Sequence, residues 1–558
     1  MLAVAAAKPA LLFLGLDGVD PAVVRRLRAD GALPILARLA ERNVLRPIAS
    51  TVPSATCPAW ATCLTGVNPG RHGVFDFTVP DGYEVRFGSP RPAVPTWLET
   101  LGEQGLSVGA IGFPGRLHGA RLPGFRVAGW DTPLETEAGL RHVHPPSLYH
   151  QILRQVGPDA LRFAAADEFA ARAADDPDEF LAHLAEGLDR RVALALFLVR
   201  ERPVDLLAVH FQAADTAGHH LWPRAGEPGA GEEVPAGLAR ALRLLDAAAG
   251  RLIEALDPAA VVAVSDHGMG PTADLVVSLN ALLAAGGFQA RTPEGPLDRA
   301  AAAVRGHALR RLPAPVRELA LRAAGTLLPG RIESRSRFAG IDWARTAAFS
   351  DELTYAPSVR LNVRGREPRG IVAPGDRRSV AGDVAAFLRD ARRPDGGPLF
   401  ARVRSREELY DGPFVDRAPD LLLEPAADAA GRTPLLCPPH LRPRLHDAWW
   451  MPIPPDERAG CKGGLLRGAH RSHGILLAAP APAWLRESAD LDLRDVAALV
   501  HELLGRDEPD HLERPRQHPT APPPVAPAPP AADDLTEADR RALARRLAAL
   551  GYQEEPDP

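Results

Sequence analysis

The sequence predicts an α/β fold with a mostly parallel central sheet, helices on both faces, and an inserted helical or lid region. Short, continuously apolar runs, typical of strands buried on both faces, alternate along the chain with longer segments of helical period. This alternation is the pattern of parallel strand and helix units. Acidic residues and histidines follow several runs directly, where ligands gather in such sheets. The sequence therefore predicts a site at the carboxyl edge of the sheet.

The first strand and helix unit lies near the N-terminus. Ala10–Leu16 is a short apolar run that predicts a central strand, and Asp17 follows it directly. A helix is expected next, because Asp20 can cap it, Pro21 suits its first turn and Gly31 can end it. Asp17 is thereby predicted to lie at the carboxyl end of a buried strand.

The same order of elements recurs twice. A helix predicted around Phe180–Glu201 leads into a strand at Asp205–His210, and a helix around Leu238–Leu256 leads into a strand at Ala260–Val264. We divide the chain accordingly into the first part of a catalytic core (1–279), a helical insertion or lid (280–338), the remainder of the core (339–505), a Pro/Ala-rich linker (506–534) and a C-terminal helix (535–558).

Composition excludes several classes of protein. A chain of 558 residues with 46% hydrophobic content can bury a large core, so it is neither disordered nor fibrous. The formal charge of −5 arises from 65 basic and 70 acidic residues spread along the chain, and no basic stripe predicts a nucleic acid polymer as partner. The sequence does not indicate an oligomeric state.

Cysteine content and hydropathy bear on the compartment. Four cysteines without a CxxC pattern are too few for a disulfide framework, which favours a reduced compartment. The apolar run at the N-terminus is interrupted by Lys8 and Pro9 and is too short to span a bilayer. We therefore expect no transmembrane segment and a cytoplasmic protein.

Thr56 lies in the first segment that carries chemistry, a polar turn that leads into a helix with Pro58 in its first turn. Backbone N–H groups and the positive end of the helix dipole favour a phosphoryl group there. They also help to hold a hydroxyl as a nucleophile. By itself the pattern also fits an ordinary helix cap.

Three further segments offer metal ligands. Asp215 and His219 in DTAGH are four residues apart and would share one side of a helical turn, although a capped helix with an exposed histidine has the same pattern. Asp266 and His267 end an apolar strand before Gly268, and adjacent oxygen and nitrogen ligands suit zinc. GAHRSHGILL, at 468–477, predicts a loop before another strand and adds a histidine, unless the loop is merely a solvated surface.

The order of these segments in one α/β chain resembles the alkaline phosphatase superfamily. The likeness is greatest to its type I phosphodiesterase/nucleotide pyrophosphatase branch, including bacterial relatives known as phosphohydrolases or phosphomutases. Besides the metal motifs, it is carried by LGLDGVDP, PSATCPAWATCLTGVNPGRHGVFDF, IDWARTAAF, LNVRGREPRGIV, APDLLLEP and RRLAALGY. Residues 280–338 show no recognisable counterpart.

The resemblance implies a metal-dependent phosphohydrolase, expected to be a phosphodiesterase on a small phosphate ester. It implies two divalent metal ions, with zinc expected and manganese as the alternative. One ion would be held by Asp215, His219 and His470. The other would be held by Asp17, Asp266 and His267 together with Thr56. Thr56 would be the nucleophile, and a phosphothreonine intermediate would form.

Two further histidines, His473 and His72, can also be given expected roles. The branch has Gly-x-His-Arg followed by Gly-Ile-Leu, which matches at His470 and leaves His473 as the reserve ligand. His72, in the loop after the nucleophile helix, is expected to be structural.

Other members of the superfamily resemble this chain less. A sulfatase has Cys or Ser, then Pro, then Arg at the nucleophile, whereas this chain has Thr56, Pro58 and Trp60. Nucleotide pyrophosphatases have Thr-Phe-Pro-Asn, and Ala59 replaces the Asn, so that another donor such as Lys462 or Arg471 would have to take its place.

Two alternatives stay open on the same core. One is a phosphomutase or phosphomonoesterase, and the other is a non-catalytic protein that binds metal or phosphate. Every expected ligand position and Thr56 carry competent residues, which argues against the second. Aromatic residues such as Trp60 and Trp130 can shape a pocket but more often pack in the core. The sequence does not identify the substrate.

Overall fold

The computed structural model of the chain describes residues 8–41, 43–116, 122–130, 138–163, 176–292, 334–352, 357–445, 448–457 and 465–513. Strands and helices alternate along most of these residues. The strands are β1 (Leu11–Leu16), β2 (Val44–Ala49), β3 (Thr78–Asp81), β4 (Glu84–Phe87), β5 (Val108–Ile111), β6 (Gly124–Val127), β7 (Val143–His144), β8 (Leu206–Phe211), β9 (Ala260–Val264), β10 (Gly268–Val277), β11 (Ala348–Phe349), β12 (Ser358–Leu361), β13 (Phe400–Ser405), β14 (Leu421–Pro425), β15 (Thr433–Leu436), β16 (Trp450–Pro452), β17 (Gly468–Arg471) and β18 (His473–Ala479).

The α-helices fall mainly before, between and after the strands of the largest sheet. They are α1 (Pro21–Ala29), α2 (Pro34–Ala40), α3 (Thr56–Thr65), α4 (Pro69–His72), α5 (Trp97–Glu103), α6 (Ser147–Gln155), α7 (Pro177–Glu201), α8 (Ala213–His220), α9 (Ala236–Leu256), α10 (Leu279–Ala285), α11 (Arg377–Arg389), α12 (Arg406–Leu409), α13 (Ala483–Glu487) and α14 (Asp495–Leu503). Among the described residues, no helix combines the length and the apolarity that crossing a bilayer requires.

The largest sheet has the strand order β2-β18-β9-β1-β8-β5-β6-β7. Strands β9, β1, β8, β5 and β6 run parallel to one another, whereas β18 is antiparallel to both of its neighbours and β7 is antiparallel to β6. All residues of β1 are buried, as expected for a central strand. The predicted α/β class with a mostly parallel central sheet is confirmed.

Helices cover both faces of this sheet. Leu12, Leu14 and Leu16 of β1 pack in one apolar cluster with α7 and α9. Leu11 and Phe13 pack in a second cluster with α3, α5 and α14. Alternate residues of a strand point to opposite faces, so one apolar run fills both layers. This double burial explains why the run is continuous in the sequence.

Besides the β3–β4 hairpin, two four-stranded sheets lie outside this layer. The first has the order β11-β12-β14-β13, is antiparallel, and packs on α10 and α11. In the second, β10 pairs with β15 and β16 through its later residues and with β17 through its first residues. The pairing of β10 with β17 positions His470, one of the residues of the candidate active site described below.

The local predictions for the first unit are confirmed. Asp20 caps α1, because its Oδ1 accepts hydrogen bonds from the backbone N–H groups of Ala22 at 2.8 Å and Val23 at 3.3 Å. Gly31 lies just beyond the helix with a φ of +68°, a conformation that glycine adopts without strain. The strand predicted at Ala260–Val264 has those bounds in the structure.

The proposed segment boundaries stay predictions. Most of the helical insertion predicted at 280–338 and all of the C-terminal helix predicted at 535–558 lie outside the described residues. Residues 506–513 of the predicted linker are described, and the rest of it is not. Where the insertion was expected to begin, α10 packs its leucines into the smaller antiparallel sheet.

Asp76 lies where the loop after α4 approaches the smaller antiparallel sheet. Its Oδ1 accepts a hydrogen bond of 2.6 Å from the backbone N–H of Phe77. Burial and the neighbouring Asp351 carboxylate raise the pKa of Asp76 from its ordinary value of 3.8 to about 7. The folded chain therefore holds this proton more tightly than the unfolded chain does.

This difference makes the stability of the protein depend on pH. The stabilisation from the Asp76 proton is complete below the unfolded pKa of about 3.9 and is lost as the pH rises through about 7. Asp76→Asn carries a neutral amide at every pH. We therefore expect its unfolding free energy, relative to wild type, to increase between about pH 5 and about pH 8, as measured by urea denaturation with a chelator present.

Asp81→Asn is the matched control, because Asp81 lies five residues further along the chain and is exposed at the end of β3. Its unfolding free energy should follow that of the wild type over this pH range. Identical pH dependence in wild type and Asp76→Asn would show that the carboxyl is not protonated in the folded chain.

Candidate active site

Three adjacent parallel strands end at the same edge of the largest sheet and place acidic residues there. Asp17 follows β1, Asp266 follows β9, and Asp215 lies in the first turn of α8, directly after β8. β1 pairs with β8 on one side and with β9 on the other. The carboxyl ends therefore meet, as the sequence predicted.

The first candidate cluster combines α8 with β17. Asp215 Oδ1 lies 3.2 Å from His219 Nε2, one helical turn further along α8. His470 Nε2 lies 3.3 Å from the same carboxylate oxygen and 3.2 Å from His219 Nε2. His470 is placed by strand pairing, because it is opposite Met269 in the β10–β17 ladder. The three residues expected to share one metal ion thus lie together.

The second candidate cluster lies at the ends of β1 and β9. His267 Nε2 is 3.4 Å from Asp17 Oδ1 and 3.4 Å from Asp266 Oδ2, and all three residues are fully buried. The ring of His267 stacks on that of His470 with 3.7 Å between centroids. Because of this stacking, the two clusters adjoin.

Thr56 is the first residue of α3 and is half-buried. Its Oγ1 lies 3.5 Å from His267 Nε2. The N-cap position belongs to Ala55, whose side chain cannot accept a hydrogen bond from the first turn. Thr56 is therefore not the helix cap that its sequence context also allowed, and its hydroxyl faces the clusters.

Backbone carbonyls orient the three histidines in the same way. The Nδ1 atoms contact carbonyl oxygens: Ser54 O at 2.8 Å from His470, Gly468 O at 2.9 Å from His219, and Gly268 O at 3.1 Å from His267. A carbonyl can only accept, so each Nδ1 carries the proton and donates it. This arrangement leaves each Nε2 lone pair directed into the clusters, as in metal-binding histidines.

The buried carboxylates influence one another strongly. Burial, together with the charges of Asp17 and Asp215, raises the pKa of Asp266 well above its ordinary range. Burial also acts to raise the pKa of Asp215, but His219 and His470 outweigh it and hold that pKa well below its ordinary range. Burial and the nearby His470 lower the pKa of His267 to about 4, so this imidazole is neutral at pH 7. Of these groups, Asp215 therefore carries a negative charge at pH 7, whereas the His267 imidazole is neutral.

The donor set fits divalent metal ions. Asp17 Oδ1 and Asp266 Oδ2 are buried and accept no hydrogen bond. The nitrogen and oxygen atoms of the clusters are 3.2 to 3.4 Å apart. Ligands at about 2.0–2.1 Å from a tetrahedral zinc are about 3.3 Å from one another. Oxygen and imidazole nitrogen donors at these separations suit zinc or manganese.

Two glycines permit the close approach of the elements. At Gly18, which has a φ of +74°, a Cβ would lie 2.7 Å from Asp215 Cα. At Gly268, a Cβ would lie 2.3 Å from the carbonyl oxygen of His473 and 2.6 Å from Asp20 Oδ2. Gly268 begins β10 and its φ is not left-handed. Its small size, not its flexibility, is what the structure requires.

Two of the other sequence candidates lie away from the clusters. The reserve ligand His473 is exposed at the start of β18. Arg471 follows His470 on β17, and adjacent strand residues point to opposite faces. Its guanidinium instead donates to Pro271 O at 2.7 Å and to Thr433 Oγ1 at 3.0 Å, so it does not replace the missing Asn. Lys462 lies outside the described residues.

The expected loop around His470 is a strand in the structure. GAHR pairs with the first residues of β10, and this pairing fixes the imidazole beside His267. His72 has the kind of contacts that a structural role predicts: its Nε2 lies 2.9 Å from Thr62 Oγ1, and its Nδ1 accepts from the N–H of Val74.

Sequence reasoning missed the residues that hold Asp17. His210 Nε2 and Trp60 Nε1 both lie within hydrogen-bond distance of Asp17 Oδ2. Trp60 is fully buried, in agreement with the interpretation of this aromatic residue as part of the core. His210 is the penultimate residue of β8, and its position just before the segment that contains Asp215 was the available signal.

Comparison with known proteins identifies the family of this chain. The profile of the family described as Type I phosphodiesterase / nucleotide pyrophosphatase matches residues 11–430. The chain belongs to this family. The family comprises metal-dependent phosphoester hydrolases, and this is the class of activity assigned to the chain. No curated protein matches the chain at a significant level.

The solved structures that are similar to this family member include a phosphonoacetate hydrolase and an ectonucleotide pyrophosphatase/phosphodiesterase. Phosphonoacetate hydrolase from Sinorhizobium meliloti 1021, in complex with phosphonoacetate, is 14% identical with a TM-score of 0.45, over 88% of this chain and 95% of that chain. Murine ectonucleotide pyrophosphatase/phosphodiesterase 5 is 13% identical with a TM-score of 0.44, over 90% of this chain and 96% of that chain.

Metal ions should stabilise this protein, because a cation offsets the repulsion among the three buried carboxylates. We expect zinc or manganese added to chelator-stripped protein to raise the melting temperature, and a chelator to reverse the change. At 100 times the dissociation constant the gain is about 2.7 kcal/mol. Differential scanning calorimetry with elemental analysis of bound metal tests this.

The test variant is His219→Ala, which removes a proposed metal ligand. Its matched control is His183→Ala, because His183 lies on the outer part of α7. The His219 variant should bind less metal and gain less stability, and the His183 variant should behave as wild type. A melting temperature unmoved by metal in the wild-type chain would contradict the metal site.

Proposed function

We propose that this family member is a two-metal phosphodiesterase in which Thr56 is the nucleophile and forms a phosphothreonine intermediate. The observation that carries the proposal is the convergence of the Thr56 hydroxyl with six buried or nearly buried ligands at one edge of the sheet. Asp215, His219 and His470 would hold one ion. Asp17, Asp266 and His267, with Thr56, would hold the other.

Bound at these residues, two divalent ions supply Lewis acidity, which activates the hydroxyl and stabilises charge on the transferred phosphoryl group. The chain contributes the rest. Thr56 Oγ1 would give up its proton to solvent and form a bond to phosphorus as the bond between phosphorus and the ester oxygen breaks, and that oxygen would leave with a proton from solvent. Water would later attack phosphorus, break its bond to Thr56 Oγ1 and return a proton to that oxygen. The start of α3 directs its dipole at the phosphoryl group.

Electrostatic balance supports a diester as substrate. Three carboxylates and two divalent cations would leave a net charge of about +1 while Thr56 keeps its proton, because histidines are neutral ligands. A diester carries one negative charge and would balance this excess, whereas a monoester dianion would exceed it. Arg471, which could have added positive charge, points to the other face of β17. The family match supports the same choice.

The assignment predicts a specific loss of turnover. Thr56→Ala should lower kcat for bis-p-nitrophenyl phosphate by roughly a thousandfold or more, because the nucleophile is removed. Its metal content should stay close to that of the wild type, since three protein ligands remain at each ion. Thr56→Ser should retain part of the activity through its hydroxyl.

Thr65→Ala is the matched control on the same helix, because the Thr65 hydroxyl donates to the Ala61 carbonyl at 2.6 Å and lies at the far end of α3. Each protein is stripped of metal, reconstituted with zinc or manganese, and assayed with bis-p-nitrophenyl phosphate and p-nitrophenyl phosphate. Full activity in Thr56→Ala would falsify the nucleophile assignment. Preference for the monoester would favour a phosphomonoesterase or mutase.

A further inference from the structure

The two oxygens of the Asp17 carboxylate have different surroundings. Oδ2 accepts hydrogen bonds from His210 Nε2 at 3.0 Å and from Trp60 Nε1 at 3.3 Å. Oδ1 accepts none and lies 3.4 Å from His267 Nε2. Asp17 and Trp60 are fully buried, and His210 is 2% exposed, so water does not supply these hydrogen bonds. One oxygen is fixed by side chains, and the other faces the cluster.

The neighbouring carboxylate shows that such anchoring recurs. Asp266 Oδ1 is approached at 3.4 Å by the backbone N–H of Gly18, whereas its Oδ2 accepts no hydrogen bond and faces His267. In both carboxylates one oxygen is tethered and the other is directed at the same imidazole. The difference is that side chains tether Asp17 and the backbone tethers Asp266.

A small residue in β1 makes room for the two donors of Asp17. Gly15 pairs with His210 across the β1–β8 ladder. A Cβ at Gly15 would lie 2.8 Å from the Trp60 ring and 3.2 Å from the rings of both His210 and Phe113. Trp60 meets His210 edge-on, with 5.0 Å between ring centroids and 86° between planes. This packing fixes the directions in which the indole and imidazole N–H groups point.

We propose that His210 and Trp60 are positioning residues that hold Asp17 Oδ2, so that Oδ1 is presented as a ligand of the metal ion shared with Asp266 and His267. This inference rests on the metal site of the proposed function, but not on the reaction carried out there. Residues that orient metal ligands typically change metal affinity about 10- to 100-fold when removed. Neither residue touches the substrate or the ion.

The alternative is that the two rings only fill space. Their geometry argues against it, because both polar atoms meet the same carboxylate oxygen. A buried donor without a partner is costly, and so is a buried carboxylate without donors. Satisfying all three groups at one oxygen leaves the second oxygen available for a cation.

Three variants separate orientation from packing. His210→Phe keeps a ring and removes the donor. His210→Gln keeps an N–H group near the position of Nε2. Trp60→Phe removes the indole donor and leaves an aromatic ring. If Trp60→Phe does not fold, the two substitutions at His210 still decide between the alternatives.

Two buried residues of the same kinds provide controls. Trp97 donates its indole N–H to the Cys63 carbonyl at 3.0 Å, away from the metal ligands. His501 contacts the Thr100 hydroxyl at 3.1 Å and the Ala497 carbonyl at 2.8 Å. Trp97→Phe and His501→Phe therefore lose comparable hydrogen bonds without affecting Asp17.

The full-length proteins are stripped of metal and titrated with cobalt, whose visible spectrum reports ligand geometry, and affinity is measured by chelator competition. We expect His210→Phe and Trp60→Phe to bind one of two cobalt ions about 10- to 100-fold more weakly, with an altered spectrum. His210→Gln should recover most of the affinity. Trp97→Phe and His501→Phe should match wild type in affinity and spectrum, whatever their stability.

Wild-type cobalt affinity and spectrum in both His210→Phe and Trp60→Phe would overturn the proposal, even if those proteins melted earlier. Equal losses in His210→Gln and His210→Phe would also overturn it, because the donor would then be irrelevant. These readouts do not require turnover. A wild-type protein that binds cobalt but cleaves neither ester would refute the proposed function, and the cobalt comparison would still decide the positioning of Asp17.

Discussion

Asp17, Asp215 and Asp266 lie buried at the ends of neighbouring elements, where burial and the charges of the other two raise the pKa of Asp266. Bringing like charges out of water costs several kcal/mol per ion unless an opposite charge is present. The surrounding architecture can be understood from this constraint. Parallel strands bring the carboxylates to one edge, and Gly18 allows α8 to approach β1 closely. Divalent cations at this edge would offset the repulsion.

The histidines solve a second problem, which is how to complete the ligand set without adding charge. The Nδ1 atoms of His219, His267 and His470 each donate to a backbone carbonyl, so that the tautomer is fixed by the main chain. One of those carbonyls belongs to Ser54, two residues before Thr56. The loop before α3 is thus tied to His470, which we propose as a metal ligand, and the position of Thr56 depends on that of His470.

The sequence predicted the parts of the site that have local signals. Asp17 and Asp266 follow buried strands, and Asp215 and His219 are one helical turn apart, so burial pattern and spacing were sufficient to bring them together. His470 was found only through its likeness to a family motif. The strand that holds it has four residues, two of which are Gly and Ala, and it pairs with a segment some 200 residues away. Long-range pairing of this kind leaves no periodic signal. For the same reason the sequence could not show that Arg471 points away from His470.

Helix α3 connects the placement of Thr56, the proposed nucleophile, with that of Asp17, a proposed metal ligand. Thr56 and Trp60 are four residues apart, so they lie on the same side of the helix, one turn from each other. Through these residues the helix approaches His267 with a hydroxyl and Asp17 with an indole N–H. A movement of α3 would therefore shift the hydroxyl and release Asp17 Oδ2 together. Because Trp60 packs against His210 and Phe113, and Cys63 at the next turn accepts from Trp97, such a movement is opposed by the aromatic core beneath the site. We therefore expect this aromatic core, together with the proposed ligands, to hold Thr56 and the proposed metal site in a fixed relative position.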